Sequence, residues 1–382
     1  MPELIYLDNN ATTRVADEVL TAMTPFYREH YGNPHAVHAL GRRAHDAVEA
    51  SRAEIAQLLG CPSSEVIFTS CGTEGNAMVI RGLLERNPER RNVVTTTVEH
   101  PSVLTLLRAL DRANLIELAI VPVDSEGVID LDRMREAIDD ETLLVSVMLA
   151  QNETGVIHPV ARIAEMAHKR GAKMHVDAVQ AAGKIAISQR DLGADFLTIS
   201  GHKFHAPKGI GALTIRKGIA LQPLWYGGGQ ELGMRSGTEP VPSIVGLAAA
   251  ARLAREALPS YDRVRALRDR LESNIRARVD ETSVNGATQQ RLGNTASIAF
   301  HDVQADEIVR ALDAQGVCVS AGAACHSGNV EPSGTMKAMG KPLRVAMGVV
   351  RFSLSRYTPE AEIDRTIDVV TDVVTSVRAA AV

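Results

Sequence analysis

The sequence predicts an α/β fold: a large domain on a mostly parallel sheet, followed by a smaller α+β domain. Three observations carry this expectation. At 382 residues the chain is too long for one compact core, so two domains are expected. Short β-rich runs alternate with helical stretches from about residue 66 to residue 216, the pattern of repeated strand–helix units. The middle strands read as unbroken apolar runs, which suits a sheet covered on both faces.

In chain order, the candidate strands are 65–69, 93–97, 117–123, 143–149, 174–177, 196–200 and 211–215. Helical patterns fall between them at 75–85, 102–113, 131–139 and 161–170. A glycine-rich stretch, Tyr226-Gly227-Gly228-Gly229-Gln230, interrupts the alternation, and a long helical pattern begins after Pro242 and runs past Pro259 with a break. The remainder mixes a strand at 295–300 with helices at 305–315 and 359–378. The expected domains are 15–255 and 256–382, the second joined by the N-terminal arm 1–14.

Composition excludes several classes of function. Aromatic residues make up 3% of the chain, too few for a base-stacking platform or a membrane aromatic belt. A net charge of -5 leaves no basic footprint, so direct nucleic-acid binding is not expected. Apolar stretches such as 143–150 are far shorter than a membrane span, and no secretory pattern opens the chain. The expected location is the cytoplasm. Cys61, Cys71, Cys318 and Cys325 are too few and too scattered for a disulfide framework or a C-x-x-C metal site, so no metal is expected.

The nucleotide motifs are missing. No G-x-G-x-x-G follows a strand, and Gly183-Lys184-Ile185 and Gly340-Lys341-Pro342 lack the hydroxyl residue of a P-loop. A different anion cradle stands at Thr69-Ser70-Cys71-Gly72-Thr73-Glu74, where a strand ends and a helix begins. An ordinary capped turn is the plainer reading of that stretch taken alone. Asp177 ends another strand, and Lys203 follows a third by three residues, so both belong at the carboxyl edge of the sheet, where ligands bind. They are an ion pair or a pyridoxal phosphate (PLP) site. PLP needs a lysine for its aldehyde and an acid for its pyridine nitrogen.

The series Tyr6-Leu7-Asp8-Asn9-Asn10-Ala11-Thr12-Thr13, Glu99-His100, Asn152-Glu153-x-Gly155, Asp177-x-x-Gln180, Ser200-Gly201-His202-Lys203, Arg235-Ser236-Gly237-Thr238 and Arg351-Phe352-Ser353-Leu354 spans nearly the whole chain. It resembles the cysteine desulfurases of the NifS/IscS type, class V enzymes of PLP fold-type I. The resemblance implies that Lys203 holds PLP as a Schiff base, Asp177 pairs with the pyridine nitrogen, and His100 stacks on the ring and shuttles protons. It implies that Gly72, Thr73, Ser200 and His202 hold the phosphate and that Gln180 and Asn152 approach the ring hydroxyl and the substrate. Thr238 is expected at the phosphate of a second subunit, hence a homodimer, and Arg351 at the substrate carboxylate.

The run Ser320-Ala321-Gly322-Ala323-Ala324-Cys325-His326-Ser327-Gly328-Asn329 reads as an exposed mobile loop, and an exposed cysteine in such a loop is a plausible nucleophile. Cys71, beside the anion cradle, competes with it. The run resembles the family's catalytic loop, which implies conversion of L-cysteine to L-alanine through a Cys325 persulfide. A protein sulfur acceptor then receives the sulfur for iron–sulfur clusters, other thio-cofactors or nucleic-acid thiolation. A selenocysteine lyase and a class V aminotransferase are the alternatives. Gln151, Ala206, Pro240, Ala323 and Ser355 depart from the usual family pattern, and none of them removes a proposed catalytic group.

Overall fold

Alternation of apolar strands with one-sided helices sets the element order. The computed structural model describes residues 4–326 and 329–380, with the backbone alone described at 323–326 and 329–330. The first half contains β1 (Ile5–Tyr6), α1 (Asp17–Arg28), α2 (Ala39–Leu59), β2 (Val66–Thr69), α3 (Gly72–Arg86), β3 (Asn92–Thr96), α4 (Pro101–Arg112), β4 (Glu117–Val121) and α5 (Leu131–Ala137). Then come β5 (Thr142–Met148), α6 (Val160–Lys169), β6 (Lys173–Asp177), β7 (Phe196–Ser200), β8 (Gly211–Ile215), α7 (Val241–Ala257) and α8 (Tyr261–Arg278). The last part holds β9 (Thr282–Val284), β10 (Thr295–Phe300), α9 (Ala305–Ala314), β11 (Val317–Cys318), β12 (Ser320–Ala321), β13 (Ala323–His326) and β14 (Asn329–Pro332). It closes with α10 (Gly334–Ala338), α11 (Leu343–Ala346), β15 (Val349–Ser353) and α12 (Glu360–Ala380).

The central sheet has seven strands in the order β2-β8-β7-β6-β5-β3-β4. It is parallel from β7 to β4, and β8 runs against both of its neighbours. Since β2 and β7 each oppose β8, they point the same way as the rest, and the carboxyl ends of β2, β7, β6, β5 and β3 share one edge. Successive residues feed opposite cores, as a pleated strand requires. Ile67, Val93, Leu144 and Phe196 pack with α3 and α4, while Val66, Val94, Val145 and Leu197 pack with α2, α6 and α7. Both faces are therefore dry, and this explains the unbroken apolar runs.

A separate apolar cluster gathers α8, α9 and α12 over an antiparallel sheet of order β12-β15-β10-β9. Ile298, Phe300, Val350 and Phe352 face that cluster. Their alternates include polar pairs, Thr295 opposite Ser353 and Ser297 opposite Arg351, while Ala299 and Val349 on the same side join the larger apolar core. The N-terminal arm joins this part of the molecule: β1 pairs in parallel with β11, Asp8 bridges Ser353, and Ile5 and Leu7 enter the same cluster.

The stretch read from sequence as a mobile loop is largely strand backbone. β13 and β14 form an antiparallel hairpin with Ala323 opposite Pro332 and Cys325 opposite Val330. Gly322 shows why the small residues are there: a Cβ would lie 2.7 Å from Cγ1 of Val349, so the chain passes too close to β15 for a side chain. Ser327 and Gly328 lie outside the described residues. Among the described residues no helix is long and apolar enough to cross a membrane.

Candidate active site

The carboxyl edge of the sheet opens into a cavity of about 340 Å³, within the range of small-ligand sites. Gly72, Thr73, His100, Asn152, Asp177, Gln180, Ser200, His202, Lys203 and Arg351 all line it. Lys203 sits on a single 3₁₀ turn, Gly201–Lys203, directly after β7. Gly201 must be glycine, because a Cβ would come within 2.8 Å of Leu247 Cδ1 and 2.9 Å of Ala206 Cβ. The Lys203 amine donates to the backbone carbonyls of Asn10 (2.7 Å) and Ala11 (2.8 Å). Asp177 is the last residue of β6, and its oxygens are fixed by Asn76 Nδ2 (2.9 Å) and by the N–H of Val179 (3.0 Å). The two groups share a wall without an ion pair between them, and each is anchored by other partners.

The cradle after β2 has the form expected of an anion site. Helix α3 begins at Gly72, and its cap residue Cys71 makes no side-chain hydrogen bond to the first turn. The leading N–H groups of the helix are thus left to something else. A Cβ on Gly72 would lie 2.8 Å from Cγ2 of Val179, so the backbone is tight against the neighbouring strand end. His100 caps α4, with Nδ1 accepting from the N–H of Ser102 (3.2 Å) and lying 2.8 Å from the Ser102 hydroxyl.

Electrostatics tune these groups. Burial and then the Arg351 guanidinium push the Lys203 amine down to about 8, against the opposing pull of Asp177 and Asp8. His100 is lowered mainly by desolvation; Asp177 opposes this and Lys203 adds to it. Burial, helped by Lys203 and Lys208, takes His202 down to about 4. Glu99, fully enclosed behind the site, is raised to about 8 by burial despite hydrogen bonds from Thr96 and the N–H of Met148.

Arg351 is less free than expected. One terminal nitrogen pairs with Asp8 (2.7 Å) and the other donates to the carbonyl of Asn152 (3.0 Å), and the residue is 8% exposed. Thr238 does not line the cavity and is exposed on this chain. The Cys325 side chain lies outside the described residues; Cys71 does line the cavity, and Cys318 is half-buried in β11.

Sequence reasoning gave no role to Asp8, Asn10, Asn76 or Lys184. Asn10 is the hub: besides receiving Lys203, its carbonyl accepts from Gln180 (2.8 Å) and its side chain reaches Thr295 (2.9 Å) and Asn294 (3.0 Å). Lys184, buried and with its amine driven well below the usual lysine value by burial, donates to Asn10 Oδ1 (3.0 Å) and Gln180 Oε1 (2.7 Å). Gln180 and Lys184 lie in the turns after β6, where no periodicity signals their contact.

The family described as aminotransferase class-V matches residues 5–366. The chain is 48% identical over 378 residues to a cysteine desulfurase of Cereibacter sphaeroides, covering 99% of this chain and 97% of that one. It is 45% identical over 376 residues to the cysteine desulfurase NifS of Azotobacter vinelandii, covering 98% and 93%. A solved structure of a NifS-like protein superposes with a TM-score of 0.92 at 38% identity, covering 98% of this chain and 100% of that chain. Agreement of this depth in sequence and fold means that the chain belongs to the class-V aminotransferase family, in its NifS-type cysteine desulfurase branch.

Proposed function

We propose that this chain is a cysteine desulfurase that converts L-cysteine to L-alanine with PLP held in the cavity between β6, β7 and α3. The class-V family is PLP-dependent. The observation that carries the site assignment is the meeting of Lys203, an oriented Asp177 carboxylate and the uncapped start of α3 in one cavity. That donor set fits PLP: an amine for the aldehyde, an acid for the pyridine nitrogen, and free N–H groups with Thr73, Ser200 and His202 for the phosphate.

When bound, PLP supplies a sink for the electron pair released as the substrate Cα–H bond breaks. Asp177, held by Asn76 and the Val179 N–H, keeps a proton on the pyridine nitrogen. Lys203 would hold the cofactor through Nζ, and its amine would serve as the base for the Cα proton; an amine lowered to about 8 is a far better base at neutral pH than one at ~10.4. Arg351 binds the substrate carboxylate through its planar fork, with the substrate replacing Asp8 on one nitrogen. Cys325 takes the sulfur: its thiol and L-cysteine become a persulfide and L-alanine. The substrate C–S bond breaks, an S–S bond forms, and the proton count closes on alanine.

The reading includes a homodimer, with Thr238 serving the partner's phosphate site, and a protein sulfur acceptor such as an iron–sulfur scaffold. It includes a cytoplasmic location, in keeping with the unpaired thiols of Cys61, Cys71 and Cys318.

Purified protein should absorb as a lysine-bound cofactor, and Lys203→Ala should abolish that band; an unchanged band would remove the cofactor assignment. Cys325→Ala should keep the band and lose sulfide release under reducing conditions. Retained sulfide release would move the acceptor role to Cys71.

A further inference from the structure

The turn after β5 looks both ways. Gln151 ties it together, its Oε1 accepting from the N–H groups of Glu153 (2.6 Å) and Thr154 (2.8 Å). On the cavity side, the carbonyl of Asn152 accepts from Arg351 (3.0 Å) and from Asn10 Nδ2 (3.2 Å). On the far side, the Glu153 carboxylate accepts from two hydroxyls at once, Ser333 on Oε2 and Thr335 on Oε1, each at 2.6 Å. Gln151 Nε2 adds a bond to the Thr335 hydroxyl (2.9 Å).

Those hydroxyls sit at the root of the cysteine-bearing hairpin. Ser333 follows the last residue of β14, its N–H donates to the carbonyl of Gly322 (3.0 Å), and its hydroxyl caps α10 through the N–H of Met336 (3.2 Å). Gly322 directly precedes β13, so this contact closes the base of the hairpin. One carboxylate therefore spans the substrate-side turn and the point from which both hairpin strands leave. Mere adhesion does not call for a carboxylate: well-packed apolar residues hold two segments together at least as well as a buried charge. Two short charge-assisted bonds fix direction, which apolar packing does not.

We infer that Glu153 is a positioning residue for sulfur transfer, setting the course of the Cys325 hairpin relative to the turn that carries Asn152. This rests on Cys325 being the sulfur acceptor. The geometry separates two tasks: Asn152 and Arg351 serve the substrate, whereas Glu153, Ser333 and Thr335 serve the approach of the acceptor.

The test uses the PLP-loaded enzyme and three variants: Glu153→Ala, the pair Ser333→Ala with Thr335→Val, and all three changes together. Cysteine affinity is read from the change in cofactor absorbance, transfer from single-turnover alanine formation, and thiol accessibility from the alkylation rate at Cys325. Glu153→Ala and the hydroxyl pair should each keep cysteine affinity within twofold, slow alanine formation at least tenfold, and alter the alkylation rate. The triple variant should be no slower than the slower of the two, because all three changes break one clasp. Glu153→Gln, able to accept from one hydroxyl and donate to the other, should restore most of the rate. Loss of cysteine affinity in step with the rate, multiplied effects in the triple variant, or an unchanged rate would each overturn the inference. Cys325→Ala run alongside separates the premise. Full turnover there removes the acceptor and the inference with it, whereas lost turnover there with an unchanged Glu153→Ala removes the clasp alone.

Discussion

Lys203 owes its reactivity to neighbours drawn from three distant segments: the arm at Asn10 and Ala11, β6 at Asp177, and β15 at Arg351. Only a neutral amine attacks an aldehyde, so apoprotein should bind PLP at a rate that climbs with pH and levels off around a midpoint of about 8. Stopped-flow absorbance checks this, and a midpoint near the ~10.4 of free lysine would contradict the burial argument. Arg351→Lys is a second test. A point-charge ammonium cannot span Asp8 and Asn152 as the guanidinium does, so kcat/KM for cysteine should fall by about ten- to a hundredfold, mainly through KM. Asp177 and Lys203 were legible in the sequence because one ends a recognisable strand and the other closely follows one. Asn10, Asp8 and Lys184 were not, because their importance comes from chain segments that meet only in three dimensions.

At the scale of elements, the start of α3 shows function overriding propensity. An alanine in place of a helical glycine ordinarily favours the helix by up to about 1 kcal/mol. Here the added Cβ would meet Val179 at 2.8 Å, so Gly72→Ala should instead displace the cradle. PLP affinity, titrated by absorbance or fluorescence, should weaken by about tenfold, equivalent to ~1.4 kcal/mol. Unaltered affinity would mean that the phosphate is held elsewhere. The central strands were readable because a sheet buried on both faces leaves an apolar signature. The β13–β14 hairpin was not, since alanines, glycines and serines carry no period that separates strand from loop.

Across the whole molecule, the two histidines with fully buried rings, His158 and His175, add a destabilising contribution as pH falls. Burial holds His158 and His175 down to about 4, whereas an unfolded chain protonates histidine near ~6.5. Between those values the unfolded state binds more protons at these two sites, so their contribution to stability is full above ~6.5 and is lost as pH drops toward 4. The expected loss is about 3 kcal/mol per histidine. Denaturant unfolding at pH 7 and pH 5, compared between the native chain and His158→Phe, should show the variant losing less stability on acidification, by about one histidine's share, while His175 still titrates. The arm that cradles the lysine has a consequence for how the protein is made. The N–H of Asn10 bonds the Ser353 hydroxyl, 343 residues later, so a ribosome must deliver all of the intervening chain before that contact closes. Until Ser353 is made the arm lacks this anchor, and a nascent chain released before then would carry a lysine whose lid of carbonyls is untethered.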